Sequence, residues 1–401
     1  MAVARLTLRG AGLAALGCGL LAFGVTQQQR EFVLPGAFLV LLPLIALVGV
    51  SWGVRRRSGR RLVGTPRVAA GEPVIVELHL ARPGVGLGTV HLVEDTVPAS
   101  MGAGPAFLRA TGWGRVRLGL RYRLTPPLRG RYQLGPLRWS NSDPLGLARA
   151  ITTVPETTAL TVTPRVQALA AADHTSGVGP SGDVAAVRTG LIGPDDALIR
   201  DYRAGDDVRR IHWPSTARTG TMMVRREERA WDPSALLLLD NRTGAHPGTG
   251  TESGFEWAVS AAASIGTHLL SSGFAVELVD AGGTRLQAPS EQAVRASTLL
   301  EYLTDVGLHP GEGFEAAVRA EGRRAPAPLL IAILGRIDER DAGLLELAGR
   351  ERRSCWALLT EPDLDPQARR RLDLAGWRVV PDAMTLGLAA AWGGCDSGAL
   401  R

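Results

Sequence analysis

Two long uncharged runs open the chain, at residues 10–25 and 32–54, and shorter periods follow. They hold 16 and 23 residues. A helix crossing the hydrocarbon layer needs about 20 apolar residues, so the pattern predicts a two-span hairpin with residues 26–31 as its polar tip. Pro35 and Pro43 suit a helix end and a kink, both tolerated in membranes. Arg5 and Arg9 precede the first run, while Arg55, Arg56, Arg57, Arg60 and Arg61 follow the second. Cytoplasmic flanks favour arginine, so both termini are expected inside, with the large domains on the cytoplasmic side of a cell membrane. A cleaved signal peptide ending near Ala22-Phe23-Gly24 would leave a stub before the second run and send the five following arginines outside.

From about residue 67 to 165 the apolar positions fall to a period of two. Residues 115–124 alternate strictly, with arginines at 115, 117, 121 and 123 lining one face. Turn residues recur at Pro83-Gly84, Pro126-Pro127 and Asp143-Pro144, the spacing of an antiparallel β-sandwich. His79 and His91 fall on neighbouring predicted strands of this module, two histidines without a third ligand. From about residue 235 short apolar runs at 235–239, 275–279, 329–334, 356–360 and 377–380 alternate with helical spacing at 255–270, 291–304, 338–349 and 366–375. That rhythm predicts a parallel, doubly wound α/β sheet, whose ligands and partners are met at the carboxyl ends of its strands. The expected organisation is a transmembrane hairpin with its basic flank at 1–62, a β-sandwich at 66–165, a linker at 166–233 and an α/β domain at 234–401.

Composition narrows the function. All 45 basic residues are arginine, which removes chemistry that depends on lysine, including the phosphate-loop lysine and Schiff-base catalysis. The net charge of +6 is concentrated at the start: nine arginines and one acid, Glu31, lie within residues 1–67. The remaining 36 arginines meet 38 acids, so no nucleic-acid partner is expected, whereas membrane lipid is. Cys18, Cys355 and Cys395 are scattered singly and outline neither a disulfide framework nor a zinc site.

Between the two modules, residues 200–229 hold eight arginines and five acids. Arginine forks pair with carboxylates, and Trp213 or Tyr202 can stack on a guanidinium plane. The stretch reads equally as an ion-paired structural linker or as a partner-docking surface. Its residues Arg200, Tyr202, Gly205, Asp206, Arg209, Ile211, Trp213, Ala217 and Arg218 resemble the signature of the domain-of-unknown-function-58 family, and Arg210 lies inside it. Residues 129–137 and the run Asp143-Pro144-Leu145-Gly146-Leu147 also look like that family. The resemblance implies a membrane-tethered protein whose C-terminal part is similar to a von Willebrand factor A domain. It further implies a MoxR-type AAA ATPase as partner, with a client protein that the two assemble or mature; the family has no established activity, and from the residues themselves no enzymatic activity or cofactor is expected.

A von Willebrand A-like domain binds Mg²⁺ through D-x-S-x-S after its first strand, using oxygen ligands. The corresponding residues are Asp240-Asn241-Arg242-Thr243-Gly244, where Arg242 and Gly244 replace both serines. An arginine offers no lone pair, so Asp240 is read as a degenerate position and no metal is expected. The glycine-rich run 177–182 lacks a following lysine, and the acid pairs Asp195-Asp196 and Asp206-Asp207 point apart on an extended chain. A Mg²⁺-dependent adhesion-like module and an unrecognised hydrolase are the alternatives to a non-enzymatic adaptor.

Overall fold

The computed structural model describes residues 3–51, 58–86, 89–111, 114–170, 198–201, 211, 213–226, 234–286, 296–310, 313–323 and 327–397. They form two compact units, Met1–Pro164 and Arg165–Arg401.

The first unit begins with strand β1 (Val3–Leu6), which runs through Thr7 into helix α1 (Leu8–Thr26) and, after a short tip, helix α2 (Arg30–Ser51). Both helices are long and apolar enough to cross a membrane. They meet through small residues: a methyl group on Gly17 would stand 2.9 Å from the Gly36 carbonyl oxygen, so glycine is required for the close approach. The β strands follow as β2 (Ser58–Val63), β3 (Arg67–Ala69), β4 (Val74–Gly86), β5 (Thr89–Asp95), β6 (Ala106–Thr111), β7 (Gly114–Leu124), β8 (Gly130–Leu134), β9 (Leu137–Ser142), β10 (Ala148–Val154) and β11 (Thr158–Thr163). They make three sheets, ordered β1-β10-β9-β5-β6, β2-β4-β7 and β3-β11-β8. All pairings are antiparallel except β3 with β11. The alternation read in residues 115–124 is realised in β7: Leu118, Leu120, Tyr122 and Leu124 turn to the core, and Arg117, Arg121 and Arg123 to solvent. Val76, Leu78, Trp139, Leu160 and Val162 complete that core.

Three sequence expectations are revised here. Val3–Leu6 is a strand rather than a bare flank, because β1 pairs along β10 from Val3↔Ile151 to Leu6↔Ala148. Arg61 is not a membrane-facing flank charge but a core residue of the β module. Its guanidinium donates through Nε to Asp95 Oδ2 (3.1 Å), through Nη2 to Asp95 Oδ1, and through Nη1 to the Leu134 carbonyl (2.7 Å). Tyr122 donates to the same carboxylate at 2.6 Å. Burial, followed by the Asp95 hydrogen bond and charge, pushes the Tyr122 phenol well above its ordinary range. His79 and His91 lie in different sheets. His91 is a core histidine that accepts from Trp139 Nε1 at Nδ1 (3.0 Å) and meets Thr89 and Thr111 at Nε2 (2.9 Å each).

In the second unit, β12 (Leu198–Asp201) pairs antiparallel with β13 (Met223–Arg226), and helix α3 (Trp213–Thr219) lies between them in sequence. The main sheet uses β14 (Ser234–Leu239), β15 (Ala275–Asp280), β16 (Arg285–Leu286), β17 (Leu329–Leu334), β18 (Ser354–Leu359) and β19 (Trp377–Val380). Its order is β16-β15-β14-β17-β18-β19, parallel throughout except for the antiparallel edge strand β16. The helices are α4 (Gly254–Ser271), α5 (Ala296–Asp305), α6 (Gly313–Glu321), α7 (Glu339–Gly349), α8 (Pro366–Leu374), α9 (Ala383–Leu386) and α10 (Leu388–Ser397). They cover both faces. Ala235, Leu237 and Leu239 pack against α4, α5 and α10, while Leu236 and Leu238 pack against α6, α7 and α8. A strand buried on both sides must be apolar at every position, which is why β14 and β17 read as unbroken runs. Ser253 caps α4 by accepting from the Glu256 amide (3.3 Å).

Two measurements follow. Arg61→Ala leaves Asp95 as an uncompensated buried charge and lowers stability by about 3–5 kcal/mol, read from urea unfolding of the chain in detergent. Burial pushes the Cys355 thiol up to about 11, so at pH 8 it stays protonated. Iodoacetamide should modify Cys355 only after the chain is unfolded, as mapped by peptide mass.

Candidate functional site

Parallel strands end together, and the loops beyond their carboxyl ends bring sequence-distant side chains to one edge. Here the loops after β14, β15 and β17 build the site. Asp240, the first residue past β14, is wholly buried. Its Oδ1 accepts from the Arg242 amide (3.1 Å) and from Arg242 Nε (2.9 Å), and its Oδ2 accepts from Arg242 Nη2 (2.9 Å). The loop therefore turns back so that the arginine two residues on forks onto the aspartate. The remaining edge of the guanidinium donates through Nη1 to both oxygens of Asp341, at 3.1 and 3.0 Å. Its plane lies 4.2 Å over the ring centre of Phe314.

Each partner is placed by its own element. Asp341 sits in the first turn of α7, where the Asp338 side chain caps the helix by accepting from the Asp341 amide (2.8 Å). Phe314 comes from the first turn of α6. The Arg242 backbone forms a bridge with His309; the Thr243 amide donates to the His309 carbonyl (3.0 Å), and the His309 amide to the Asn241 carbonyl (2.6 Å). His246 donates from Nε2 to the Asp240 carbonyl at 2.6 Å. Behind them Asn241 Nδ2 donates to the Gly307 carbonyl (3.0 Å), and Tyr302 donates to Asp280 (2.7 Å). Burial and then the Asp280 hydrogen bond hold the Tyr302 phenol above its ordinary range.

Electrostatics favour a permanently charged arginine. Burial alone would lower its affinity for the proton, yet Asp240 and then Asp341 raise it overall. Such a bidentate, doubly paired guanidinium is strongly held and expensive to break. It also closes the chemistry of the spot. A divalent ion bound by Asp240 would need oxygen ligands where Arg242 and Gly244 stand, and would have to displace the guanidinium first. These residues do not fit a hard cation. Outside the pair lies an open cleft of about 520 Å³ lined by Arg242, Thr243, His309, Arg336, Arg340 and Asp341, among others. Asn241 Oδ1, His246 Nδ1 and Thr360 Oγ1 are buried at this end of the sheet without a hydrogen-bond partner among the described residues.

The signature flank is placed only in part. Arg200 lies on β12 opposite Val224. Trp213 opens α3 with 67% of its surface exposed, and Arg218 is exposed in the last turn of that helix. Tyr202, Gly205, Asp206, Arg209 and Arg210 lie outside the described residues, as do the glycine-rich run 177–182 and both acid pairs. Sequence reading identified Asp240 and Arg242 but not Asp341, nearly 100 residues away; the pattern Asp338-x-x-Asp341 ahead of an apolar helix marks a helix start, not a charge partner.

Arg242→Ala removes the counter-charge from two buried carboxylates and lowers stability by about 3–5 kcal/mol. Arg242→Lys recovers less than half of that loss in urea unfolding, since an ammonium cannot fork onto both acids.

Among solved structures, the CARDB domain of a Pyrococcus furiosus protein, in complex with di-metal ions, is 15% identical over 26% of this chain and 86% of its own, with a TM-score of 0.19. A Pseudomonas fluorescens alkylpurine DNA glycosylase, AlkC, is 11% identical over 38% of this chain and 45% of its own, with a TM-score of 0.18. A β-glucosidase from Listeria innocua is 12% identical over 26% of this chain and 16% of its own, with a TM-score of 0.15. Likenesses this slight carry neither fold nor function. No curated protein matches this chain. Residues 198–325, which take in β12, Asp240, Arg242 and Phe314, match the model of the family described as Protein of unknown function DUF58.

Proposed function

We propose that this chain is a two-pass membrane-anchored interaction protein with no catalytic activity of its own, acting with a MoxR-type AAA ATPase in the assembly or maturation of other proteins. Its C-terminal part is a von Willebrand A-like domain that uses the strand-end face as a scaffold and the signature flank as a docking surface. Support for the anchor comes from the two apolar helices at the N-terminus. Arg5, Arg9 and Arg55 to Arg57 flank them and favour a cytoplasmic placement of both large modules. Support for the A-like domain comes from the parallel strand order and from helices on both faces.

The observation that carries the reading is Arg242. The place where a metal-dependent A domain gathers its ion is filled from within by a guanidinium bonded to Asp240 and Asp341. A scaffold that needs no ion can hold one geometry whatever the ionic conditions. The exposed Trp213, beside an arginine-rich strand pair, has the composition of an interface anchor, in which aromatic and arginine side chains dominate.

The test is co-purification in detergent with a MoxR-type AAA ATPase. Trp213→Ala is expected to leave the melting temperature unchanged and to lower ATPase recovery by at least roughly tenfold, the weight of a good hot spot. Unchanged recovery by the folded variant counts against the docking surface. In the same preparation, millimolar Mg²⁺ should not move the melting temperature; a rise that saturates would favour the metal-dependent adhesion-like reading instead.

A further inference from the structure

The first helix begins without slack. β1 ends at Leu6, Thr7 alone intervenes, and α1 starts at Leu8. Thr7 is bound on all sides: its amide donates to the Leu147 carbonyl (2.8 Å), its hydroxyl donates to the Gly146 carbonyl (2.7 Å), and the hydroxyl oxygen accepts from the Gly10 amide (3.1 Å). A methyl group on Gly10 would stand 2.1 Å from the Leu147 carbonyl oxygen, so the turn at 143–147 touches the first turn of α1. Ala46 and Val50, near the end of α2, bury against Leu147, Ala148 and Ala150. The turn therefore stands level with both helix ends.

Length fixes that level in the bilayer. The 19 residues of α1 span about 28 Å at 1.5 Å each, against a hydrocarbon layer of about 30 Å. The helix has no residue to spare, so its first turn meets the hydrocarbon boundary and the turn bound to it stands among the headgroups. The chemistry of residues 143–147 suits a poorly hydrated layer. Asp143 accepts from the amides of Leu145 (2.9 Å) and Ala148 (2.6 Å), Thr7 takes the carbonyls of Gly146 and Leu147, and Pro144 has no amide to satisfy. What the turn presents outward is apolar: Pro144 is exposed, Leu145 is 62% exposed, and Leu8 beside it on α1 is 92% exposed. Arg5 and Arg9, both exposed, bracket the patch with charge that can reach lipid phosphates.

We propose that residues 143–147 form a membrane-immersed turn, with Leu145 seated at the headgroup–acyl boundary of the leaflet that α1 enters, so that the β module rests directly on the lipid. This rests on the two-span reading, and the occupant follows from continuity: lipid that surrounds Leu8 on the first turn of α1 also reaches the turn bonded to it.

Cys18, exposed on α1, is a built-in depth reference. In a Cys395→Ser background, one protein carries a fluorescent label on Cys18, a second carries Cys18→Ser with Leu145→Cys, a third Cys18→Ser with Pro144→Cys, and a fourth Cys18→Ser with Leu108→Cys on β6, at the opposite edge of the same sheet. All are reconstituted in phosphatidylcholine–phosphatidylglycerol vesicles containing lipids brominated near the headgroup or near the chain end. The Cys18 label should be quenched most by deep bromines. Labels at 145 and 144 should be quenched most by shallow ones, roughly twofold more than at 108, as for side chains buried 5–10 Å into the boundary. Equal quenching at 145, 144 and 108 with Cys18 quenched overturns the immersed turn and leaves the spans standing. A Cys18 label that no bromine quenches overturns the spans, and the turn with them.

Discussion

A carboxylate sealed at the end of a strand buried on both faces stays ionised only if a counter-charge from the chain or a bound ion meets it, and here Arg242 supplies that charge to Asp240. The rest of the strand-end architecture is arranged around that pair. The loop after β14 folds back to bring the guanidinium round, α7 delivers Asp341 to its far edge, and α6 supplies the ring beneath it. Three elements far apart in sequence are thereby referenced to one planar group.

The β module solves the same problem the same way. Arg61 enters from β2, meets Asp95 from β5 and Tyr122 from β7, and donates to the backbone at Leu134 on β8. At the edge of the α/β sheet, Arg285 of β16 joins Glu277 of β15 and Glu321 of α6. A chain that uses arginine for every basic residue gains a rigid five-donor fork at each such junction, which a lysine could not reproduce. At these three places arginine acts as a joining element between strands, and Arg61 is one charge of the first 67 residues that does not face a membrane.

Periodicity made the main sheet legible: β17 and β19 match the apolar runs residue for residue, and the other parallel strands differ by one or two at their ends. The two N-terminal apolar helices were equally clear, because a long uncharged run reads as one continuous helix. What escaped was decided by pairing rather than by composition. Val3–Leu6 has no strand signature of its own and becomes one through β10. Helix α6 carries a glycine start and mixed polarity, too short a pattern to separate from a loop. The aspartate that completes the guanidinium site is a helix-start residue, and nothing local marks its partner. Asp240 and Arg242 were visible because the motif they depart from specifies what should stand at each position.

The single residue between β1 and α1 couples two things that are usually independent. Strand register repeats every two residues and helix azimuth advances about 100° per residue, so inserting one residue at Thr7 would both flip the strand's faces and rotate the helix by more than a quarter turn. Insertions or deletions there should therefore be rare among related sequences.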